Sequence, residues 1–368
     1  MKVVHVIERC HPGGAEIFVR DLLEQLNKLD LETELWVFYR AEVLAGNDQK
    51  FKTAEKEYVE MVEAKGTKVY FVDKRPGKGY LKTWRTIRKL YKKSKPDIVH
   101  THLEQTSFNT SMALLGSGAK VVQTVHNTVL HKPILMKCFF KYVNKKLISI
   151  SKNCHSMLLN LGLKNKVELI TNGINIEKFK FDRVVAPEVK QILAVGRLVE
   201  QKNHAMLIKA FSQVVKRLEE NNIPIPKLLI AGEGELRPML TGLVKELGLE
   251  NYVSLPGNCP NIPELLKESD IYVMSSNYEG MSISLIEAVA SAIPIICTNV
   301  GGSEDALIHN ITGTIVEVGN QDAFADALYS LISDYSLRRK YSENCYKNAD
   351  KFSLLKCAEK YKELYESL

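Results

Sequence analysis

Short, uninterrupted apolar runs alternating with helix-length amphipathic stretches are what most limits the folds open to this chain. In the first half the runs are Val3–Ile7, Glu34–Phe38, Lys68–Val72, Asp97–His100, Lys120–Val125, Leu147–Ile150 and Val167–Ile170. In the second half they are Gln191–Val195, Lys227–Ala231, Tyr252–Leu255, Ile271–Met274, Ile295–Cys297 and Thr314–Val316. Strands that are apolar without alternation are buried on both faces, which predicts parallel sheets with helices on either side. Thirteen such strands are too many for one sheet of this rhythm, and 368 residues exceed what one core comfortably serves. The expectation is α/β, with two doubly wound Rossmann-like domains facing across a cleft. The non-periodic phrase NIEKFKFDRVVAPEVK puts the boundary near residue 183, giving domains 1–182 and 183–352. The tail from about 353 to 368 reads as one last helix.

Several classes are excluded at once. An apolar fraction of 45% with 25% charged residues is that of a globular protein, not a disordered one. The apolar run in MKVVHVIERC is cut off by Glu8 and Arg9, too early for a signal-peptide core, and no stretch approaches a membrane span. Seven scattered cysteines with no C-x-x-C pair argue against a zinc site or disulfide framework and fit a reducing cytoplasm. The net charge of +7 is unevenly spread: residues 1–180 carry 31 Lys and Arg against 18 Asp and Glu, the remainder 19 against 25. A basic half of this kind suits an anionic partner or a solvated surface.

In doubly wound sheets ligands bind beyond the carboxyl ends of the strands. The polar residues that follow the apolar runs are His11 to Glu16, His102, His126 and Ser151, then Arg197 to Asn203, Glu233, Asn258, Glu279 and Gly301-Gly302. Gly196 allows a sharp turn, after which Arg197 and Lys202 can converge on a diphosphate, the first as a planar fork and the second as a point charge. The segment Glu279-Gly280-Met281-Ser282-Ile283 enters a helix that carries Glu287. A carboxylate accepts two hydrogen bonds from vicinal sugar hydroxyls, and the free N–H groups of that helix start suit phosphate. Gly13 and Gly14 likewise open a helix whose apolar stripe runs from Ile17 to Leu26. Gly232-x-Gly234 lacks the third glycine of a dinucleotide fingerprint, with Arg237 in its place. No D-x-D pair follows an apolar strand, so nothing asks for a metal ion at the diphosphate.

With these residues in hand, the chain resembles the retaining glycosyltransferases of the two-Rossmann-domain (GT-B) type, family 4 or group 1. The resemblance rests on GGAE at 13–16, DIVHTH at 97–102, TVHN around His126, SIS at 149–151 and TNGINIEKF at 171–179. It continues through GRLVEQKN at 196–203, AGEGELRP at 231–238 and the pair Glu279 and Glu287, in family order along nearly the whole chain. It implies a nucleotide-sugar donor, UDP-linked by family frequency, a glycan or polyprenyl-linked acceptor, and no cofactor or metal. Arg197 and Lys202 would hold the diphosphate, Glu279 the sugar hydroxyls, Glu287 the ribose, and His126 would lie near the donor sugar. Gly13, Gly14, Gly196, Glu233, Gly280, Met281, Ser282 and Ile283 would line the donor site, with Glu16 and His102 on the acceptor side. Retention would follow front-face substitution, the leaving phosphate taking the acceptor proton. The final helix would cross back onto the first domain. Ser282, Ala292 and the run Gly301 to Asp305 depart from the family pattern.

Relatives of this kind often glycosylate polyprenyl-linked acceptors. The lysine-rich run Lys74–Lys95 and the amphipathic stretch 133–150 fit peripheral contact with the inner face of an anionic membrane. A sugar-nucleotide epimerase on the same plan, or a non-catalytic nucleotide or nucleic-acid binder, are the competing readings. The second finds no aromatic-interleaved basic groove, so no nucleic-acid partner is expected.

Overall fold

A computed structural model describes residues 1–10, 13–46, 48–126, 137 and 140–368. It contains two parallel sheets. The first has seven strands: β1 (Lys2–Ile7), β2 (Glu32–Val37), β3 (Lys68–Phe71), β4 (Ile98–His102), β5 (Lys120–Val125), β6 (Lys146–Ser149) and β7 (Val167–Leu169). Their spatial order is β3-β2-β1-β4-β5-β6-β7. The second has six: β8 (Gln191–Val195), β9 (Lys227–Ala231), β10 (Val253–Gly257), β11 (Ile271–Met274), β12 (Ile295–Thr298) and β13 (Thr314–Val316), in the order β10-β9-β8-β11-β12-β13. Each of the thirteen apolar runs became a strand. Both orders reverse direction beside the first strand, between β1 and β4 and between β8 and β11, the places where sheets of this kind bind ligands at the strands' carboxyl ends.

The helices form where apolar positions recur at three- and four-residue steps. Helix Gly14–Lys28 buries Phe18, Val19, Leu22, Leu23 and Leu26, and helix His204–Glu220 buries a stripe from Met206 to Leu218. The latter forms much of the second unit's core with Ile192, Leu228, Ile230 and Val273. Helix Leu354–Glu366 turns Cys357, Ala358, Tyr361, Leu364 and Tyr365 inward against helix Gly14–Lys28, and Lys362 Nζ donates to Leu29 O at 3.0 Å.

The chain divides into Met1–Gly173 with Leu354–Leu368, and Ile174–Ser353. Residues 174–182, expected in the first domain, therefore group with the second. The cause is a set of specific attachments in place of a periodic pattern. Ile174 N–H donates to Phe352 O at 2.8 Å, and Lys180 lies 3.6 Å from Asp350. Just beyond, Arg183 donates to the carbonyls of Ser291, Ser269 and Leu266, while Arg338 donates to those of Ala186 and Pro187. The stretch that reads as a linker is thus pinned along one side by two arginines.

Candidate active site

In the second unit the loops after β8 and β11 flank the sheet's reversal point and are laced together. Lys202 Nζ donates to Glu279 Oε1 at 2.6 Å, with the side chains only 15% and 10% exposed. Ser276 Oγ donates to the same oxygen at 3.1 Å. Ser275 Oγ donates to Lys202 O, Asn203 Nδ2 to Asn277 Oδ1, and Gln201 Nε2 to Tyr278 O. Arg197 Nη2 reaches Gln201 Oε1 at 3.5 Å. The aliphatic stem of Lys202 crosses over Gly196, where a Cβ would stand 3.1 Å from Cδ and Cε. The loop after β9 presses on the same turn. A Cβ on Gly232, whose φ is +154°, would collide with Gly196 O, and one on Gly234 with Leu198 O. Leu198 N–H donates to Glu233 O at 2.9 Å and Leu236 N–H to Leu198 O at 3.0 Å.

Arg197, Lys202, Gly196 and Glu279 are therefore brought together within one unit. Helix Ile283–Ala290 follows, with Ser282 at its N-cap position but making no capping bond, its Oγ lying 3.1 Å from Ser284 Oγ. Gly280, Met281 and Ser282 are buried, while Ile283 and Glu287 are half-buried. Beneath them the buried Tyr272 hydroxyl donates to Ser284 Oγ at 2.8 Å. Burial raises its pKa, against the bond to Ser284, and the nearby Glu287 and Glu279 charges raise it further. The Glu233 carboxylate is held by Arg237 through two bonds of 2.8 and 2.7 Å. His204, which the sequence reading did not single out, sits buried under the β8 turn. Desolvation, then the Lys202 charge, brings its pKa down to about 4.

In the first unit Glu16 folds back over Gly13: its Oε2 lies 2.5 Å from where a Gly13 Cβ would be. A carboxylate of the protein thus sits at the start of helix Gly14–Lys28, and Arg9 Nε is 3.9 Å from it. His11 and Pro12 lie outside the described residues. His102 ends β4 and is buried, and Leu103 after it has φ +71°, a strained conformation for leucine. His126 follows β5, half-buried, with its Nε2 2.9 Å from His102 Nδ1.

Lys74 leaves the expected basic face. It is buried, with its ammonium over the rings of Tyr80 at 4.5 Å and Tyr39 at 5.6 Å. Helix Tyr80–Ser94 exposes Lys82, Arg85, Arg88, Lys89, Lys92 and Lys93, and Arg75, Lys78 and Lys95 beside it are exposed as well. Residues 133–136, 138 and 139 of the amphipathic stretch lie outside the described residues. No helix among the described residues is long and apolar enough to cross a membrane.

Two family models match the chain end to end: Glycosyltransferase Family 4 over residues 12–178 and Glycosyl transferases group 1 over residues 175–348. The UDP-Gal:alpha-D-GlcNAc-diphosphoundecaprenol alpha-1,3-galactosyltransferase of Escherichia coli is 30% identical over 318 residues, which is 77% of this chain and 79% of the relative. The chain belongs to the group 1, family 4 glycosyltransferases. A second relative of this glycosyltransferase is the N-acetylgalactosamine-N,N'-diacetylbacillosaminyl-diphospho-undecaprenol 4-alpha-N-acetylgalactosaminyltransferase of Campylobacter jejuni. It is 32% identical over 236 residues, 60% of this chain and 62% of its own length. Anabaena HepE, solved in complex with UDP-glucose, shares the fold at TM-score 0.82 over the whole of both chains, with 18% identity.

Proposed function

We propose that this glycosyltransferase moves a sugar from a UDP-sugar to a polyprenyl-diphosphate-linked glycan during surface polysaccharide synthesis, with retention at the anomeric carbon. The observation that carries the reading is the Lys202–Glu279 pair at the reversal point of the second sheet, with Arg197 on the same loop. A nucleoside diphosphate needs cations where its leaving charge develops, and a sugar needs a carboxylate that accepts from its hydroxyls. Lys202 and Glu279 supply both within one salt bridge. A diphosphate arriving beside Lys202 shares the ammonium with Glu279 and leaves carboxylate capacity for the sugar. Glu287 takes the ribose hydroxyls, and Arg197 the diphosphate as a planar fork. The cations fill the role that a divalent ion has elsewhere, so transfer proceeds without a metal.

Neither Glu279 nor Glu287 is an evident general base. The acceptor proton is assigned to the departing phosphate oxygen on the same face as the attack, which keeps the anomeric configuration. His126 is assigned to the donor sugar, with Glu16 and His102 on the acceptor side. The donor class rests on the Escherichia coli relative, whose name specifies a UDP-sugar and a diphosphoundecaprenol acceptor. The cationic face of helix Tyr80–Ser94 is assigned to the anionic membrane surface at the cytoplasmic side, where such an acceptor resides.

The test is transfer from a panel of radiolabelled nucleotide sugars to polyprenyl-diphosphate acceptors, in chelator, with NMR of the new linkage. An α-linked product from an α-UDP-sugar is expected. A β-linked product overturns retention, and loss of turnover in chelator that returns with magnesium overturns the metal-free reading. Full turnover in Glu279→Ala or Lys202→Ala sinks the site. Liposome co-sedimentation that does not change with anionic lipid content counts against the membrane face.

A further inference from the structure

Seven side chains of the first unit, six of them buried and His126 half-buried at the outer end, form one hydrogen-bonded chain. From its deep end, Tyr361 Oη is 3.3 Å from Thr124 Oγ1, and Thr124 Oγ1 is 2.8 Å from His100 Nε2. His100 Nδ1 is 2.5 Å from Tyr365 Oη, which is 3.3 Å from His5 Nε2. His5 Nδ1 is 3.0 Å from His102 Nε2, and His102 Nδ1 is 2.9 Å from His126 Nε2. The folding of the sheet produces this line directly. Register pairs His5 on β1 with His100 on β4, and His102 with Thr124 on β5. The two-residue period of β4 puts His100 and His102 on one face. Tyr361 and Tyr365, four apart on helix Leu354–Glu366, reach it from above.

The nitrogens of His5, His100 and His102 lie within 4.8 Å of one another, as metal ligands would. Yet all six are used in the hydrogen bonds above. The rings of His100 and His102 are also stacked at 19°, so their in-plane lone pairs do not converge on a common atom. A proton chain is the reading that accounts for every contact.

A neutral imidazole donates from one nitrogen and accepts at the other, so the chain has one polarity or the opposite one along its whole length. Burial keeps its members neutral: it lowers His5 to about 3 and His126 to about 4, and holds His100 and His102 well below the ordinary value. The deep end decides between the polarities. Among the described residues Tyr361 Oη has one hydrogen-bond partner, Thr124. If protons pointed from His126 inward, Thr124 would donate to Tyr361, and the buried Tyr361 hydroxyl hydrogen would have no acceptor. With protons pointing outward, every hydrogen finds an acceptor: Tyr361 to Thr124, to His100, to Tyr365, to His5, to His102, to His126.

We propose that this chain fixes His126 as the tautomer with its proton on Nδ1, so that it meets the donor sugar as a hydrogen-bond donor and not as a base. The inference rests on the assignment of His126 to the sugar made above. His102 and the groups behind it are then positioning residues, and the last helix of the chain, through Tyr361 and Tyr365, is the source of the bias.

The test is ring-nitrogen NMR on protein labelled with 15N-histidine at pH 7, His126 being assigned by its loss in His126→Gln. The result expected is a protonated Nδ1 and an unprotonated Nε2. A protonated Nε2, or an imidazolium, overturns the proposal. His102→Gln keeps an amide oxygen for His5 and an amide N–H for His126, so the Nδ1-protonated ring signals of His126 are retained. His102→Leu provides neither, releasing His126 toward the Nε2-protonated form that free imidazoles favour and lowering kcat about tenfold or more. Identical His126 signals in wild type and folded His102→Leu would show that the chain sets nothing. The nitrogen spectra need no substrate. A wild-type protein with the expected tautomer that transfers no sugar would instead count against the assigned function.

Discussion

Removing one member of the Lys202–Glu279 pair should cost stability and activity together, and removing both should return the first without the second. The bond is 2.6 Å long, and the side chains are 15% and 10% exposed. Stranding a fully buried charge costs about 3–5 kcal/mol, and an exposed pair contributes about 0–1 kcal/mol. With most of each side chain covered and both ends still touching water, about 2 kcal/mol is expected for Lys202→Met or for Glu279→Gln. Methionine preserves the stem that packs over Gly196, and Ser276 still donates to the carboxylate, so neither single change should unfold the loop. A unit of this size shifts its Tm by roughly 2–4 °C per kcal/mol, so each single variant should melt roughly 4–8 °C lower. The double variant leaves no stranded charge and should recover at least about 1 kcal/mol relative to the sum of the singles. The assay is thermal or urea unfolding of the four proteins, alongside glycosyl transfer. Additive stabilities within about 0.5 kcal/mol would show that the pair is not coupled as drawn. Recovered turnover in the double variant would show that the diphosphate does not need the Lys202 charge.

Three further outcomes follow from other contacts. Gly232→Ala drives a methyl group into Gly196 O at a φ of +154°, so the β8 turn must move; nucleotide-sugar affinity measured by calorimetry should fall tenfold or more, and unchanged affinity would detach that turn from the donor site. Arg183→Met leaves the carbonyls of Ser291, Ser269 and Leu266 without their charged donor and should lower stability by about 3 kcal/mol, read by urea unfolding; a change below about 1 kcal/mol would mean water replaces it. The buried histidines set a pH dependence. Their folded pKa values lie below the unfolded value, so unfolding takes up protons, and stability is full above about pH 6.5 and declines as pH falls toward the folded values. For His5, His100 and His102 together the loss between pH 7 and pH 6 should be about 2 kcal/mol by urea titration, and a flat profile there would contradict their neutral burial.

The sheets were legible because parallel strands announce themselves locally. Each is a run of Val, Ile and Leu that needs no partner to be recognised, and two doubly wound sheets followed from their number. The loops that bring Arg197, Lys202 and Glu279 together were legible for the same reason, since each of these residues follows such a run. What was hidden depends on partners far away in sequence. His5 and His100 are histidines inside apolar strands, a local sign of a buried polar role, but their partner Tyr365 is 360 and 265 residues distant. Glu16 reads as an acceptor-side residue beside Gly13 and Gly14, and that its carboxylate folds back over Gly13 at the helix start has no local sign. Lys74 reads as part of a basic run, yet two tyrosine rings enclose it. The boundary moved by nine residues because 174–182 is held by individual hydrogen bonds and one ion pair, which leave no periodic trace.

The two sheets reverse at equivalent places and fill those places with opposite electrostatics. Beyond β8 and β11 stand Arg197 and Lys202, permanent cations that meet charge with charge. Beyond β4 and β5 stand His102 and His126, whose pKa values burial depresses, so they offer directed hydrogen bonds with no net charge. This division has a chemical reason. A diphosphate gains negative charge as its bond to the sugar breaks, whereas the sugar's anomeric carbon gains positive charge, and a cation placed against the sugar would oppose its reaction. A histidine that could protonate near neutral pH would be such a cation. Desolvation, which lowers the pKa of both His102 and His126, works against this. On the proposed assignment, the same doubly wound topology would serve the leaving group with fixed charge and the sugar with neutral hydrogen-bond donors.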